Sequence, residues 1–267
     1  MAKKTDGNLS MFDMEDRSSI APLAERMRPN SLREFLGQSH IAEDGSLLRR
    51  AIMLDRLGSC IFWGPPGCGK TTLANIIANS TSGSFVKLNA VNSGVSDVKR
   101  VGDEAAERLR MYGKKTYLLL DECHRFNKTQ SDSLLPLIEN GTIIFIGSTT
   151  ENPFASMTPA IVSRCRVFEF KRLSDEDVKK ALENALTDKK RGLGDYNAEV
   201  SDDALQHIAT MSGGDLRIAY NALELAVLTT PPVDGKIKVT LKDAEQSIQK
   251  KALSFDENSY YDMLSAF

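Results

Sequence analysis

The sequence predicts an α/β fold: a five-stranded parallel sheet sandwiched between helices, followed by a small all-α domain. Three observations predict it. A glycine loop, Gly64-Pro65-Pro66-Gly67-Cys68-Gly69-Lys70-Thr71, joins a short apolar run to a helix-forming one. Four further apolar runs alternate with helical segments as far as Phe170, the pattern of strands joined by crossover helices. After Leu173 the strand-like runs stop and helix-start signals follow one another.

The elements can be justified in order. Residues 1–19 are polar and read as a flexible tail. Patterning begins near Pro22, and Leu47–Arg56 has helical spacing. Cys60–Trp63 reads as a buried strand and Lys70–Ala78 as the helix after the glycine loop. Phe85–Asn89 is the second strand and Val98–Met111 the next helix. Thr116–Asp121 contains Tyr117-Leu118-Leu119-Leu120, an unbroken apolar run that suits a strand covered on both faces. Helix Thr129–Ile138, strand Ile143–Gly147, helix Pro159–Ser163 and strand Arg166–Phe170 complete a domain over 20–173.

Ser174-Asp175-Glu176-Asp177 then offers an N-cap and an acidic first turn, ahead of Val178, Ala181, Leu182, Ala185 and Leu186 at helical spacing. Further helices are expected from Ser201-Asp202-Asp203, after Gly213-Gly214-Asp215, and over Leu241–Gln249. No convincing strand run interrupts them, so 174–250 reads as a helical lid. Tyr260, Met263, Leu264 and Phe267 fall at i, i+3, i+4 and i+7. Residues 251–267 are therefore expected to begin a further, truncated helical domain.

Composition narrows the classes. With 41% hydrophobic and 26% charged residues, the 267-residue chain reads as a globular protein, neither disordered nor membrane-embedded. The N-terminus lacks the apolar core of a signal peptide, and a cytoplasmic location is expected. Four scattered cysteines without a C-x-x-C pair, and three separated histidines, argue against a zinc or redox centre. A net charge of −2 means that any DNA binding needs a local basic patch. Lys99, Arg100, Arg108, Arg110, Lys114 and Lys115 are the candidates for one, although Asp103, Glu104 and Glu107 interleave with them.

The glycine loop fits G-x-x-x-x-G-K-[ST], the P-loop that cradles a polyphosphate with backbone N–H groups at a helix N-terminus. Gly64, Pro65, Pro66, Gly67, Cys68, Gly69, Lys70, Thr71 and Thr72 would surround the phosphates. Lys70 would reach the β- and γ-phosphates, and the Thr71 hydroxyl would hold Mg²⁺. The third strand ends in Asp121-Glu122, where parallel sheets place their ligands. Asp121 would hold Mg²⁺ through water, and Glu122 would orient and polarise the attacking water. Ile143–Gly147 runs into Ser148-Thr149-Thr150, whose hydroxyls could hold that water in line.

With Ser163-Arg164-Cys165 and Gly214-Asp215-Leu216-Arg217, these segments occur in the order of an AAA+ ATPase. Ser-Arg-Cys is similar to the trans-acting arginine motif of clamp loaders, and Gly-Asp-x-Arg resembles a sensor-2 motif opening a lid helix. Pro22–Pro29, His124-Arg125-Phe126-Asn127-Lys128-Thr129-Gln130 and Gly147–Pro153 resemble the RarA/MgsA family, bacterial relatives of the Werner-helicase-interacting ATPase. The resemblance implies DNA-stimulated Mg-ATP hydrolysis in replication-fork maintenance, recombination and repair, on gapped or forked DNA or duplex ends. Arg164 would be an arginine finger entering a neighbouring subunit, and Arg217 would contact the γ-phosphate from the lid. Leu23, Ala24, Arg28, Pro29 and Ile41 would line the adenine pocket, with Ile218 packing from the lid. Asn89 resembles the residue that couples DNA contact to Glu122.

Self-association of the full-length protein and a nucleoid-associated location follow from the same resemblance. So does a single-strand-binding protein or a helicase as partner. Asn8-Leu9-Ser10-Met11-Phe12 resembles the Gln-Leu-Ser-Leu-Phe peptides that dock in the bacterial sliding clamp. Two other readings stand beside this one: a clamp-loader-like scaffold that binds nucleotide without hydrolysing it, and a branch-migration motor of the RuvB type.

Overall fold

A computed structural model describes residues 21–248. The tail over 1–19 with its Asn8–Phe12 segment, and the apolar stripe within 251–267, lie outside the described residues. Five strands form one parallel sheet: β1 (Cys60–Trp63), β2 (Ser84–Asn89), β3 (Thr116–Asp121), β4 (Ile143–Thr149) and β5 (Arg166–Glu169), in the order β2-β3-β4-β1-β5. β1, which feeds the glycine loop, is thus internal, between β4 and β5. Register aligns the strand ends: Trp63 pairs with Thr149, Asp121 with Ser148, and Asn89 with Asp121.

Alternation along each strand sorts the core into two layers. Ile61, Leu118, Leu120 and Phe145 face α5 (Val95–Tyr112) and α6 (Lys128–Glu139). Cys60, Phe62, Tyr117, Leu119 and Ile146 face α3 (Leu47–Met53) and α4 (Lys70–Ser80). Short helices α1 (Leu23–Arg26) and α2 (Ser39–Ala42) precede these, and α7 (Pro153–Ser156) and α8 (Pro159–Val162) link β4 to β5. Among the described residues no helix is long and apolar enough to cross a membrane.

The helix expected to reach Arg56 ends at Met53, for a local reason. Asp55 adopts a left-handed φ of 50°. There its carboxylate accepts from the hydroxyls of Thr81 (2.6 Å), Ser82 (2.6 Å) and Tyr117 (2.9 Å). The Ser82 hydroxyl first, then that of Thr81, holds the Asp55 pKa down at about 2, against an ordinary 3.8. A depressed carboxylate contributes stability above its unfolded pKa and loses it as pH falls through the folded one. Asp55→Ala is therefore expected to cost about 1 kcal/mol at neutral pH, a figure reduced by solvent screening of a half-buried group. The difference should close between about pH 4 and pH 2, as read by urea denaturation across that range.

The lid comprises α9 (Asp175–Thr187), α10 (Asp202–Ser212), α11 (Leu216–Thr229) and α12 (Leu241–Ser247). The Ser174 hydroxyl caps α9 as expected, accepting from Asp177 N at 3.1 Å. The lid also contains a short parallel ladder the sequence reading lacked, β6 (Ala198–Val200) beside β7 (Ile237–Val239). Its approach is a tight turn with positive φ at Asp234 and Gly235, a dipeptide that supplies this geometry at low cost. Three-residue strands carry too little periodicity to be legible.

One expected boundary shifts. Leu23 and Met27 are buried in the lid core, with Val178, Leu182 and Leu223. Glu224 of α11 fixes this segment, accepting from Leu23 N (3.0 Å) and from the Arg26 guanidinium (2.8 Å). The segment around α1 therefore packs with the lid although it precedes the sheet.

Candidate active site

The glycine loop, the strand ends and the lid enclose a cleft of about 760 Å³, ample for a nucleotide-sized ligand. α4 opens directly from the loop, with Gly69 at φ 102° before Lys70. Two glycines are required by close approach. A Cβ on Gly64 would stand 2.1 Å from Phe170 O, and one on Gly67 1.9 Å from Asp215 Oδ1. Lys70 is buried, its ammonium donating at 2.6 Å to the carbonyls of both Gly64 and Pro65. Burial lowers its pKa below that of a free lysine.

Gln38 fixes the loop from behind. Its buried amide donates to Cys68 O (3.3 Å) and Lys171 O (2.6 Å) and accepts from Lys171 N (2.9 Å). One side chain thereby joins the glycine loop to the segment leading from β5 into the lid. On the other side, Asp215 caps α11, accepting from Arg217 N at 2.9 Å. Arg217 occupies the first turn of α11 and lines the cleft. A guanidinium at a helix N-terminus is opposed by the helix dipole. The Asp215 carboxylate, 3.8 Å from Arg217 Nε, offsets part of that charge, and a phosphate in the cleft would offset more of it.

Asp121, Glu122, Ser148 and Thr150 line the cleft together with Lys70, Thr71 and Thr72. Of these hydroxyl residues, Ser148 near the end of β4 and Thr150 just beyond it line the cleft, whereas Thr149 between them does not. Glu122 has a left-handed φ of 56°, a conformation retained in non-glycine residues where surrounding contacts over-determine it.

Thr71 and Asp121 offer a hydroxyl and a carboxylate, hard oxygen donors of the kind Mg²⁺ takes. Among the described residues no cluster of three or more His, Cys, Asp or Glu side chains could hold a metal alone.

The remaining expectations divide. Ala24, Arg28 and Pro29 line the cleft; Gly64 and Pro65 serve it through their carbonyls; Pro66, Gly67, Cys68 and Gly69 line it directly. Leu23, Ile41 and Ile218 do not line it. Leu23 and Ile218 pack in the lid core, and Ile41 packs beneath α3 and α4. Leu23, read as part of an adenine surface, is fully buried there, whereas Ile41 and Ile218 are only partly buried. Arg164 is also outside the cleft. It pairs with Glu139 and donates to Ala160 O at 2.7 Å.

Asn89 caps its own turn, accepting from Val91 N at 2.9 Å. Two of the basic candidates are held by a carboxylate. Arg100 and Arg108 both pair with Glu104, at 3.0 and 2.7 Å. Arg110, Lys114 and Lys115 fall where α5 ends and β3 begins, at the sheet edge opposite the cleft.

Several lining residues had no signal in the sequence: Phe35 and Leu36 before α2, Asp188 and Arg191 after α9, and Tyr220 on α11. Arg191 pairs with Glu34 (2.8 Å) and Asp188 (3.0 Å), joining linker to lid across the cleft mouth. These residues are far apart in sequence and obey no spacing rule.

Comparison with known proteins agrees with this fold. Residues 60–173 match the ATPase family associated with various cellular activities (AAA), and residues 194–267 match the AAA C-terminal domain. Replication-associated recombination protein A of Bacillus subtilis is 47% identical over 251 residues, covering 93% of this chain and 58% of the relative. Its counterpart in Escherichia coli K12 is 42% identical over 263 residues, covering 97% and 58%. The chain therefore spans a little over half the length of these relatives. Among solved structures, the Thermotoga maritima RuvB Holliday junction branch migration motor superposes with a TM-score of 0.70 at 25% identity, covering 90% of this chain and 80% of that one.

Proposed function

This chain belongs to the replication-associated recombination protein A family of AAA ATPases, and from that premise we propose that it is a Mg-dependent ATP hydrolase stimulated by DNA. The observation that carries the reading is the convergence of Lys70, Asp121, Glu122, Thr150 and Arg217 on one cleft. Lys70 would hold the β- and γ-phosphates, Thr71 and, through water, Asp121 would hold Mg²⁺, and Glu122 would draw a proton from the attacking water. Bound Mg²⁺ would neutralise phosphate charge as the terminal phosphoryl group departs. The Thr150 hydroxyl orients the water, and Arg217 closes the lid on the γ-phosphate.

A scaffold that binds nucleotide without hydrolysing it would not need the Asp121-Glu122 pair in place at the cleft. The RuvB likeness, at 25% identity, supports a related core, whereas the 42–47% identities to recombination protein A favour that biology. Acting at gapped, forked or duplex-end DNA in replication and recombination is the corresponding role. Sliding clamp, single-strand-binding protein or helicase would be its partners, and the bacterial nucleoid its place. Phosphate release measured on the full-length protein with gapped, forked, blunt and single-stranded DNA tests this. Stimulation by one DNA structure is expected, and a rate indifferent to all of them would refute the DNA-dependent part.

Arg164 sits outside its own cleft, which suits a role in a neighbour's. The guanidinium would leave Glu139 to reach a phosphoryl group across a subunit interface. Arg164→Ala and Glu122→Gln full-length proteins should each hydrolyse poorly. Once exchanged into mixed oligomers they should recover part of the rate, because some interfaces then combine an intact finger with an intact carboxylate. No recovery after demonstrated exchange would refute the trans role.

A further inference from the structure

His124 is a buried imidazole that the steps above leave unused. It lies in the short 3₁₀ turn Cys123–Arg125 that follows Glu122 directly. Its Nδ1 is 2.8 Å from Thr149 Oγ1. Its Nε2 faces two carboxylates, Glu122 Oε2 at 3.6 Å and Glu151 Oε1 at 3.5 Å.

The surrounding groups favour a proton on one ring nitrogen, Nε2. Thr149 Oγ1 accepts from Glu151 N at 3.0 Å and has one proton to give. His124 Nδ1 is its nearer acceptor, since Glu151 O is 3.3 Å away. A bare Nε2 lone pair facing two carboxylates would be repelled by both. The consistent arrangement has Thr149 donating to Nδ1 and an N–H on Nε2 pointing at the carboxylates. The left-handed backbone of Glu122 begins the turn that carries residue 124 back beside its carboxylate.

We propose that His124 is a positioning residue, linking the Thr149 hydroxyl at the end of β4 to the Glu122 carboxylate and so aiming that carboxylate into the cleft. At 3.6 Å the contact is longer than a hydrogen bond. The N–H therefore steers Glu122 electrostatically, and Glu151 competes for it. In this way the end of β4, with Ser148 in it and Thr150 just beyond, is tied to the group that draws the proton. The inference rests on reading Glu122 as the water-polarising residue.

Steady-state hydrolysis and ATP affinity of the full-length protein test it. His124→Ala should lower kcat about 10- to 100-fold, the size of loss that mispositioning by an ångström produces, with ATP affinity unchanged. His124→Gln, whose amide can place an N–H near the former Nε2, should recover more of kcat than His124→Asn, which can replace only the Nδ1 side. Thr149→Val should lower kcat as well, and the Thr149→Val/His124→Ala pair should fall no further than His124→Ala alone.

A kcat for His124→Ala within twofold of the wild type would overturn the proposal. So would fully additive losses in the double variant, or equal recovery by Gln and Asn. Failure of the premise looks different: Glu122→Gln alone would then keep its hydrolysis rate, before any change at His124.

Discussion

Glu122→Gln protein is expected to bind ATP as tightly as the wild type while hydrolysing it about 1000-fold more slowly. The substitution is nearly isosteric, so the cleft and its phosphate contacts remain. What disappears is the carboxylate that accepts the proton of the attacking water. General-base assistance is worth roughly 10²–10⁴-fold, and the neutral amide also removes negative charge that orients the water. Equilibrium binding of a fluorescent ATP analogue, beside single-turnover phosphate release, separates the two effects. Loss of binding in parallel with hydrolysis would mean that Glu122 serves the nucleotide's ground state. An unchanged rate would remove it from the chemistry.

Lys70→Ala should show the opposite pattern, with ATP affinity falling roughly 100-fold or more, equivalent to about 3 kcal/mol. The ammonium is buried and held by Gly64 O and Pro65 O. Burial that lowers its pKa is destabilising until a phosphate supplies counter-charge, so the site is built to favour an anion. Removing the side chain takes that counter-charge from a desolvated site and leaves two carbonyls without their donor. Calorimetric titration with Mg-ATP reads the affinity, and thermal unfolding of the same sample shows whether the loop still folds. Equal affinity in folded Lys70→Ala and wild-type protein would refute the phosphate-binding assignment.

Legibility followed the range of the interactions. β1, β3 and the helix from Lys70 were readable because each carries its own signal: an unbroken apolar run, a glycine loop, a helix start. Ser174 announced the cap of α9, and Gly213-Gly214-Asp215 the start of α11, for the same reason. Apolar residues assigned to an adenine wall were less safe. Leu23 and Ile218 look equally suited to a ligand or a core, and the lid core buries Leu23 fully and Ile218 in part. The basic charge on α5 is partly offset, because Glu104, at the i+4 spacing from Arg100, pairs with both Arg100 and Arg108.

The sequence by itself determined the chemistry available: a phosphate-cradling loop with Lys70 and Thr71, two carboxylates at a strand end, and hydroxyls beyond another. Those depend on residues within a few positions of each other, where backbone geometry leaves little choice. Only the tertiary structure decided the strand order that sets β1 between β4 and β5. It alone placed Gln38 across the glycine loop and Lys171, packed Asp215 against Gly67, and tied His124 to both Glu122 and Thr149. Except for the neighbouring pair His124 and Glu122, these contacts join residues 25 to 148 positions apart. No local periodicity encodes them, because they form only when the sheet and lid cores bury their apolar faces together.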